Sequence, residues 1–300
     1  MKHIVLPQTV TSGRIYGLMQ ALCAKYPYLH CQPIGSSACG REICALVLLP
    51  SSVPAKDNVL FTAAFHGQEW LTSLIILRFA EDICEALQQN TPFVGVDLHR
   101  AFYGRRLYFV PLVNPDGVDI ATQGSDSAGK YADTVRALGG DTKGLWQANA
   151  RGVDINHNFD AGFDTPYANM PTAPAPRRYR GEYAESESET AALCNLCRRV
   201  PFRHVTALHS QGEEIYWHYG EHTPAGAHMM SEILACSSGY RAVEPTGSAA
   251  FGGFKDWFID TYHRAGFTIE LGRGENPLPI SDMYPIYKRV QEMLLLDAML

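Results

Sequence analysis

The run Val59 to Phe65 is almost wholly apolar and passes directly into His66-Gly67-Gln68-Glu69. From Glu69 to Gln89, Leu71, Leu74, Ile75, Phe79, Ile83 and Leu87 recur at helical spacing. A short apolar strand feeding an amphipathic helix through one tight turn is the unit from which α/β sheets are built. The alternation continues along the chain. Strands are expected at Glu42 to Leu49, Leu107 to Val113, Arg203 to Leu208, Ile215 to Tyr219 and Phe267 to Leu271. Helices are expected at Ser12 to Tyr26, Ser186 to Val200, Pro224 to Ser237, Phe254 to Arg264 and Ser281 to Leu300. No repeat or clean linker interrupts the pattern. It predicts one α/β domain over residues 1–300, with a mixed, mostly parallel central sheet flanked by helices.

Local punctuation refines this. Gly35-Ser36-Ser37 reads as a turn, and Asn114-Pro115-Asp116-Gly117 as the turn that ends a strand. Ser186-Glu187-Ser188-Glu189 has the spacing of a capping box opening a helix. Ala121 to Pro176 is rich in Gly, Ala, Asp, Asn and Pro yet contains Trp146 and polar residues around Asp154, which marks a functional loop rather than a linker.

Composition narrows the partners. Lys and Arg number 25 against 31 Asp and Glu, a net charge of -6, which is a poor footprint for nucleic-acid binding. No run of about 18 apolar residues is present, which argues against a membrane span. The start, Met1 to Pro7, lacks the apolar stretch of a secretory signal, so a complete cytoplasmic chain with reduced cysteines is expected. Cys194-Asn195-Leu196-Cys197 falls within an expected helix and has no second CxxC to complete a metal site, so both thiols are read as packed.

In α/β sheets, sites gather at the carboxyl ends of strands, and three strand ends here carry chemistry. His66 and Glu69 sit three apart where a strand opens into a helix, and His209 follows the strand ending at Leu208. Two imidazoles and one carboxylate form a catalytic zinc set with a coordination position left open. Glu270, flanked by Phe267-Thr268-Ile269 and Leu271, is a half-buried carboxylate suited to act as general base beside such a metal.

Ordered blocks along most of the chain strengthen this reading. They are Gly35-Ser36-Ser37 to Gly40-Arg41, His66-Gly67-Gln68-Glu69, Asn114 to Gly117, Arg151-Gly152-Val153-Asp154-Ile155-Asn156, Ser186 to Thr190, Leu208-His209-Ser210, Gly252 to Trp257 and Phe267 to Leu271. In these the sequence resembles the zinc carboxypeptidases of the funnelin type. The resemblance implies that His66, Glu69 and His209 hold one Zn2+, that Glu270 is the catalytic base, and that Asp154 orients His66 through its other ring nitrogen.

The departures bear on the substrate. Family members hold a terminal carboxylate and the oxyanion with arginines and a tyrosine. Here Asn156-His157 stands for Asn-Arg, Gln147 for the arginine after the tryptophan, and Ser248 for the tyrosine. Histidine lacks arginine's permanent bidentate fork. Gln147 and Arg151 are the candidates for stabilising the oxyanion, and Asn156, His157 and Ser248 for touching substrate. Lys255 aligns with the floor of the side-chain pocket, and Arg273 follows the base. Both suit an anionic peptide.

The block Gly252 to Phe258 and the His66-Gly67 form of the zinc motif resemble a bacterial branch, the γ-D-glutamyl-diamino-acid peptidases that cut murein peptides. This implies a zinc metallopeptidase hydrolysing a γ-D-glutamyl-diaminopimelate amide bond. The alternatives are a conventional metallocarboxypeptidase acting on acidic or other C-terminal residues, and a catalytically silent peptide-binding protein.

Overall fold

Leu29–Ser36 (β1), Glu42–Leu48 (β2), Asp57–Ala63 (β3), Arg105–Val110 (β4), His204–His209 (β5), Glu214–Tyr216 (β6), Arg241–Val243 (β7) and Gly266–Glu270 (β8) form one sheet in the order β1-β2-β4-β3-β5-β8-β6-β7. The computed structural model describes residues 3–50, 53–142, 144–166 and 170–300, with the backbone but not the side chain of Ser248. Strands β4, β3, β5 and β8 run parallel at the centre. Antiparallel pairings attach β2 and β1 on one side and β6 on the other, and β7 then pairs parallel with β6.

The helices are Ser12–Lys25 (α1), Leu71–Gln89 (α2), Leu98–Ala101 (α3), Pro115–Gln123 (α4), Ala132–Ala137 (α5), Ser188–Arg199 (α6), Gly226–Ser238 (α7), Phe254–Tyr262 (α8) and Met283–Met299 (α9). Alternate residues of β3 serve opposite faces. Val59 and Phe61 belong to the core that α1, α2, α7 and α9 also line, and Leu60 to the core lined by α6 and α8. Covering both faces is why β3 reads as a continuous apolar run rather than an alternating one. The far end of β5 is tied to α9 by a buried polar contact: His204 Nε2 lies 3.0 Å from Asp297 Oδ1, and Thr206 Oγ1 donates to Asp297 Oδ2 at 2.6 Å.

Several expected boundaries move for local reasons. β3 ends at Ala63 rather than Phe65 because Ala64 takes φ 53°, a left-handed turn that redirects the chain towards His66. Asn114-Pro115-Asp116-Gly117 ends no strand. It opens α4, where Asn114 Oδ1 accepts the Gly117 N–H at 2.8 Å and Pro115 needs no donor in the first turn. The expected capping box does not form. α6 begins at Ser188, Ser186 Oγ donates to Glu187 Oε1 at 2.8 Å, and Glu189 Oε1 accepts the Ala38 N–H at 3.2 Å. Gly35 and Ser36 belong to β1, and the turn lies beyond them. There Ser37 Oγ and Arg41 Nη1 reach Asp116 Oδ1 at 2.8 and 2.6 Å, and Arg41 Nε reaches Asp119 Oδ2 at 2.9 Å, clamping the turn onto α4.

One contact sets the position of the whole His66 turn. A Cβ on Gly67 would lie 2.1 Å from Gly117 O and 2.8 Å from Trp146 O, while the Gly67 N–H donates to Gln147 O at 3.1 Å. Only a residue without a side chain lets these backbones approach.

Two outcomes follow from this packing. Gly67→Ala should lower stability by about 1–3 kcal/mol in urea denaturation, because backbone atoms must separate to admit the methyl group. Glu189 is fully buried, and burial, with the nearby Asp116 and Glu187 charges, pushes its pKa up to about 7. The folded state therefore keeps a proton that the unfolded chain loses near the ordinary glutamate value, and the stabilisation present at low pH is lost as pH rises towards about 7. Denaturation of wild type and Glu189→Gln at pH 5 and pH 8 should show the difference shifting in favour of the Gln variant by about 2–4 kcal/mol.

Candidate metal centre

Adjacent parallel strands bring the chemistry together. β3 and β5 are neighbours, so the turn after β3 and the last residue of β5 open at the same edge of the sheet. Glu69, 3% exposed, lies between two imidazoles: His66 Nδ1 is 2.8 Å from its Oε1 and His209 Nδ1 is 3.0 Å from its Oε2. One ligand atom from each of the three residues falls within 4.8 Å of the others. On the far side of the ring, His66 Nε2 is 3.1 Å from Asp154 Oδ1. Asp154 Oδ2 accepts the Arg178 N–H at 2.9 Å, so the carboxylate facing the His66 ring is itself held in place.

The electrostatics divide the two imidazoles. Burial alone would lower the pKa of His66, but the carboxylates of Glu69 and Asp154 outweigh it and hold the value well above the ordinary one. His209 is stacked on Phe65 with ring centroids 5.0 Å apart, and there burial wins over the pull of Glu69 and lowers its pKa. Glu69 is brought down to about 2 because the attraction of His66 and His209 exceeds its desolvation cost. Asp154 is lowered for the same reason, with His66 and His157 as the charges that overcome burial.

The set fits a divalent cation of zinc's preferences. Two imidazole nitrogens and a carboxylate converge, and the outer nitrogen of one ring lies against a second carboxylate.

Glu270 ends β8 and pairs in register with His209 on β5. Burial, then the nearby Glu69 charge, pushes its pKa well up. Its neighbour on the other side is Glu214 of β6.

The remaining residues singled out from the sequence are placed as follows. Gln147 joins the site through its backbone, its carbonyl accepting the Gly67 N–H. Asn156 Oδ1 accepts the Phe254 N–H at 3.1 Å, and His157 Nδ1 lies 3.3 Å from Phe251 O. Arg151 Nε stands 3.7 Å from Glu187 Oε2. Arg273 Nε pairs with Glu213 Oε2 at 2.6 Å. Lys255 is buried, its ammonium paired with Asp256 and donating to His218 O at 2.8 Å. The side chain of Ser248 lies outside the described residues. Cys194 and Cys197 are buried in α6, and desolvation raises the pKa of both thiols.

Sequence reasoning missed Asn114 as an architect of the site. Its Nδ2 donates to Phe65 O at 2.9 Å, Ala148 O at 3.1 Å and Gln147 O at 3.3 Å, fixing the strand end below His66 to the loop that carries Gln147. An asparagine directly before a proline, after a strand, was the available signal.

Comparison with known proteins agrees with this geometry. Residues 15–293 match the Peptidase M14 family, zinc carboxypeptidase. The chain is 36% identical over 273 residues to the uncharacterized protein YqgT of Bacillus subtilis (strain 168), covering 90% of this chain and 72% of that one. It is 35% identical over 272 residues to gamma-D-glutamyl-L-diamino acid endopeptidase 1 of Lysinibacillus sphaericus, covering 90% and 67%. Among solved structures, the thrombin activatable fibrinolysis inhibitor superposes with a TM-score of 0.77 at 20% identity, over 99% of this chain and 76% of that one.

The link from Asp154 to His66 has a direct test. Asp154→Asn should leave the fold intact and weaken zinc affinity by about 10- to 100-fold, read by titration against a competing chelator.

Proposed function

The chain belongs to the zinc carboxypeptidase family, and from that membership we propose that it hydrolyses the γ-D-glutamyl-diaminopimelate amide bond of cell-wall-derived peptides. The observation that carries the reading is the 35% identity to a gamma-D-glutamyl-L-diamino acid endopeptidase across 90% of this chain, joined to a convergent His66, Glu69 and His209 set. Histidine and glutamine at positions 157 and 147, where ordinary members carry arginines, support a substrate other than a simple C-terminal peptide. No helix among the described residues is long and apolar enough to cross a membrane, and a cytoplasmic role on peptides already released from the wall suits the chain.

His66, Glu69 and His209 would hold the ion, and zinc bound there supplies Lewis acidity at the scissile carbonyl and an acidified water. The chain's own residues do the rest. Glu270 is the proton carrier. Its burial and the Glu69 charge raise its affinity for a proton, so it can take one from the attacking water and hand it to the leaving amine. Register with His209 fixes it at the same sheet edge as the metal ligands. Asp154 keeps the His66 ring from turning. Gln147 and Arg151 remain the candidates for the oxyanion, with the pull of Glu187 on Arg151 to be overcome.

Glu270→Gln should retain one zinc per chain and lose at least about 10³-fold in kcat on L-Ala-γ-D-Glu-diaminopimelate, in line with removal of a general base. Full activity in that variant would remove Glu270 from the mechanism. Release of C-terminal residues from ordinary peptides, with γ-linked peptides left intact, would overturn the substrate and leave the zinc hydrolase standing.

A further inference from the structure

The cations singled out from the sequence are all engaged. Lys255 is held by Asp256, Arg273 by Glu213 and Arg151 by Glu187. Arg180 is turned onto the carbonyls of Phe163 and Thr165. Arg177 and Arg178 are different. Both are exposed, and no ion pair or side-chain hydrogen bond engages either guanidinium among the described residues. Among the described residues Lys56, Arg100 and Arg106 also lack such a partner; what sets Arg177 and Arg178 apart is that they are adjacent and that their backbone is tied to the metal centre.

Their backbone is bolted to the metal centre from two sides. Pro176 O accepts the N–H groups of Gln147 and Ala148, both at 3.0 Å, and Gln147 O holds the Gly67 N–H at 3.1 Å. The Arg178 N–H reaches Asp154 Oδ2 at 2.9 Å, and Tyr179 O accepts the Asp154 N–H at 2.7 Å. Arg178 is thus two hydrogen bonds from the ring of His66. It also adopts φ 65°, a left-handed conformation that costs a residue with a long side chain of order 1 kcal/mol and persists only where the surroundings enforce it. A rigid, strained segment that leaves two charged groups unused is arranged to present charge rather than to pack.

We propose that Arg177 and Arg178 form a carboxylate clamp at the rim of the metal centre and bind a free carboxylate of an anionic peptide substrate. The proposal rests on the anionic-peptide reading given above. A guanidinium stays charged at any working pH and offers a planar fork of donors that matches a carboxylate. The pair thereby supplies the permanent positive charge that Gln147 and His157 lack. Both are specificity-determining residues, placed to act on substrate and not on the reacting bond.

The test compares one peptide in two forms, L-Ala-γ-D-Glu-diaminopimelate with free carboxylates and the same peptide with them amidated. Arg177→Ala is combined with Arg178→Gly, since glycine accepts the left-handed backbone and keeps the N–H to Asp154 while deleting the guanidinium. In the zinc-loaded double variant, the preference for the free acid in kcat/KM should fall by about 10- to 100-fold, carried by KM. Calorimetric binding of the free-acid peptide to a protein that also carries Glu270→Gln should weaken by the same factor, and Arg178→Lys should lie in between. An unchanged preference overturns the clamp. Loss of zinc in the double variant also overturns it, because Arg178 would then be a support for Asp154. If wild type cleaves the γ-linked peptide with no preference for the free acid, the clamp fails and the proposed function stands. If wild type cleaves only α-linked peptides, that function fails, and the clamp is read from the same ratio on a C-terminally acidic α-peptide.

Discussion

A carboxylate buried as deeply as Glu69 is costly unless cations or strong donors surround it. His66 stands in the turn after β3, and His209, 140 residues beyond Glu69, is the last residue of the neighbouring parallel strand β5. Much of the molecule serves that meeting. The β3–β5 register brings the two histidines level, Asn114 and Gly67 fix the His66 turn to the loop behind it, and Asp154 stops the nearer ring from rotating. Asp154 is buried too, and its own demand for donors draws in the backbone of Arg178. One buried charge therefore organises a relay of contacts that ends at the protein surface.

The architecture was largely legible in the sequence because strong periodicity and apolar runs coincide with real elements. β3, β5 and β8 are short apolar runs, and α1, α2 and α9 carry clear helical stripes. What escaped were elements whose signal is not periodic. β1 contains Pro33 and Gly35 and is mostly exposed, so nothing in Leu29–Ser36 reads as a strand until β2 pairs with it. β7 has three residues, too few to show a pattern. The capping box failed for a different reason. Ser186 and Glu189 have the right spacing, but Ser186 Oγ is taken by its neighbour Glu187 and by Asn158 Nδ2, and Glu189 by the Ala38 amide.

The centre was legible in its donors and opaque in its surroundings. Residue type and strand-end position sufficed to single out His66, Glu69 and His209, which the fold brings together, and Glu270, which pairs in register with His209. Charge was harder to read. Lys255 and Arg273 looked free because their partners, Asp256 and Glu213, are as ordinary in sequence as any other acid. Arg177 and Arg178, two of the cations without a side-chain partner among the described residues, lie in an irregular stretch with no periodic signal, and only the hydrogen bonds of the fold show how near to Asp154 their backbone comes.

The position of the working strands within the sheet has a consequence for how the molecule comes apart. β3, β5 and β8 lie inside, with β1, β2 and β4 on one flank and β6 and β7 on the other. Partial opening of a sheet begins at its margins, where each strand has a neighbour on one side only. Fraying of β1 or β7 leaves His66, Glu69 and His209 held by intact neighbours. The molecule can lose its periphery and close again without dismantling the arrangement on which its chemistry depends, and the centre persists through excursions that would erase a site built at an edge.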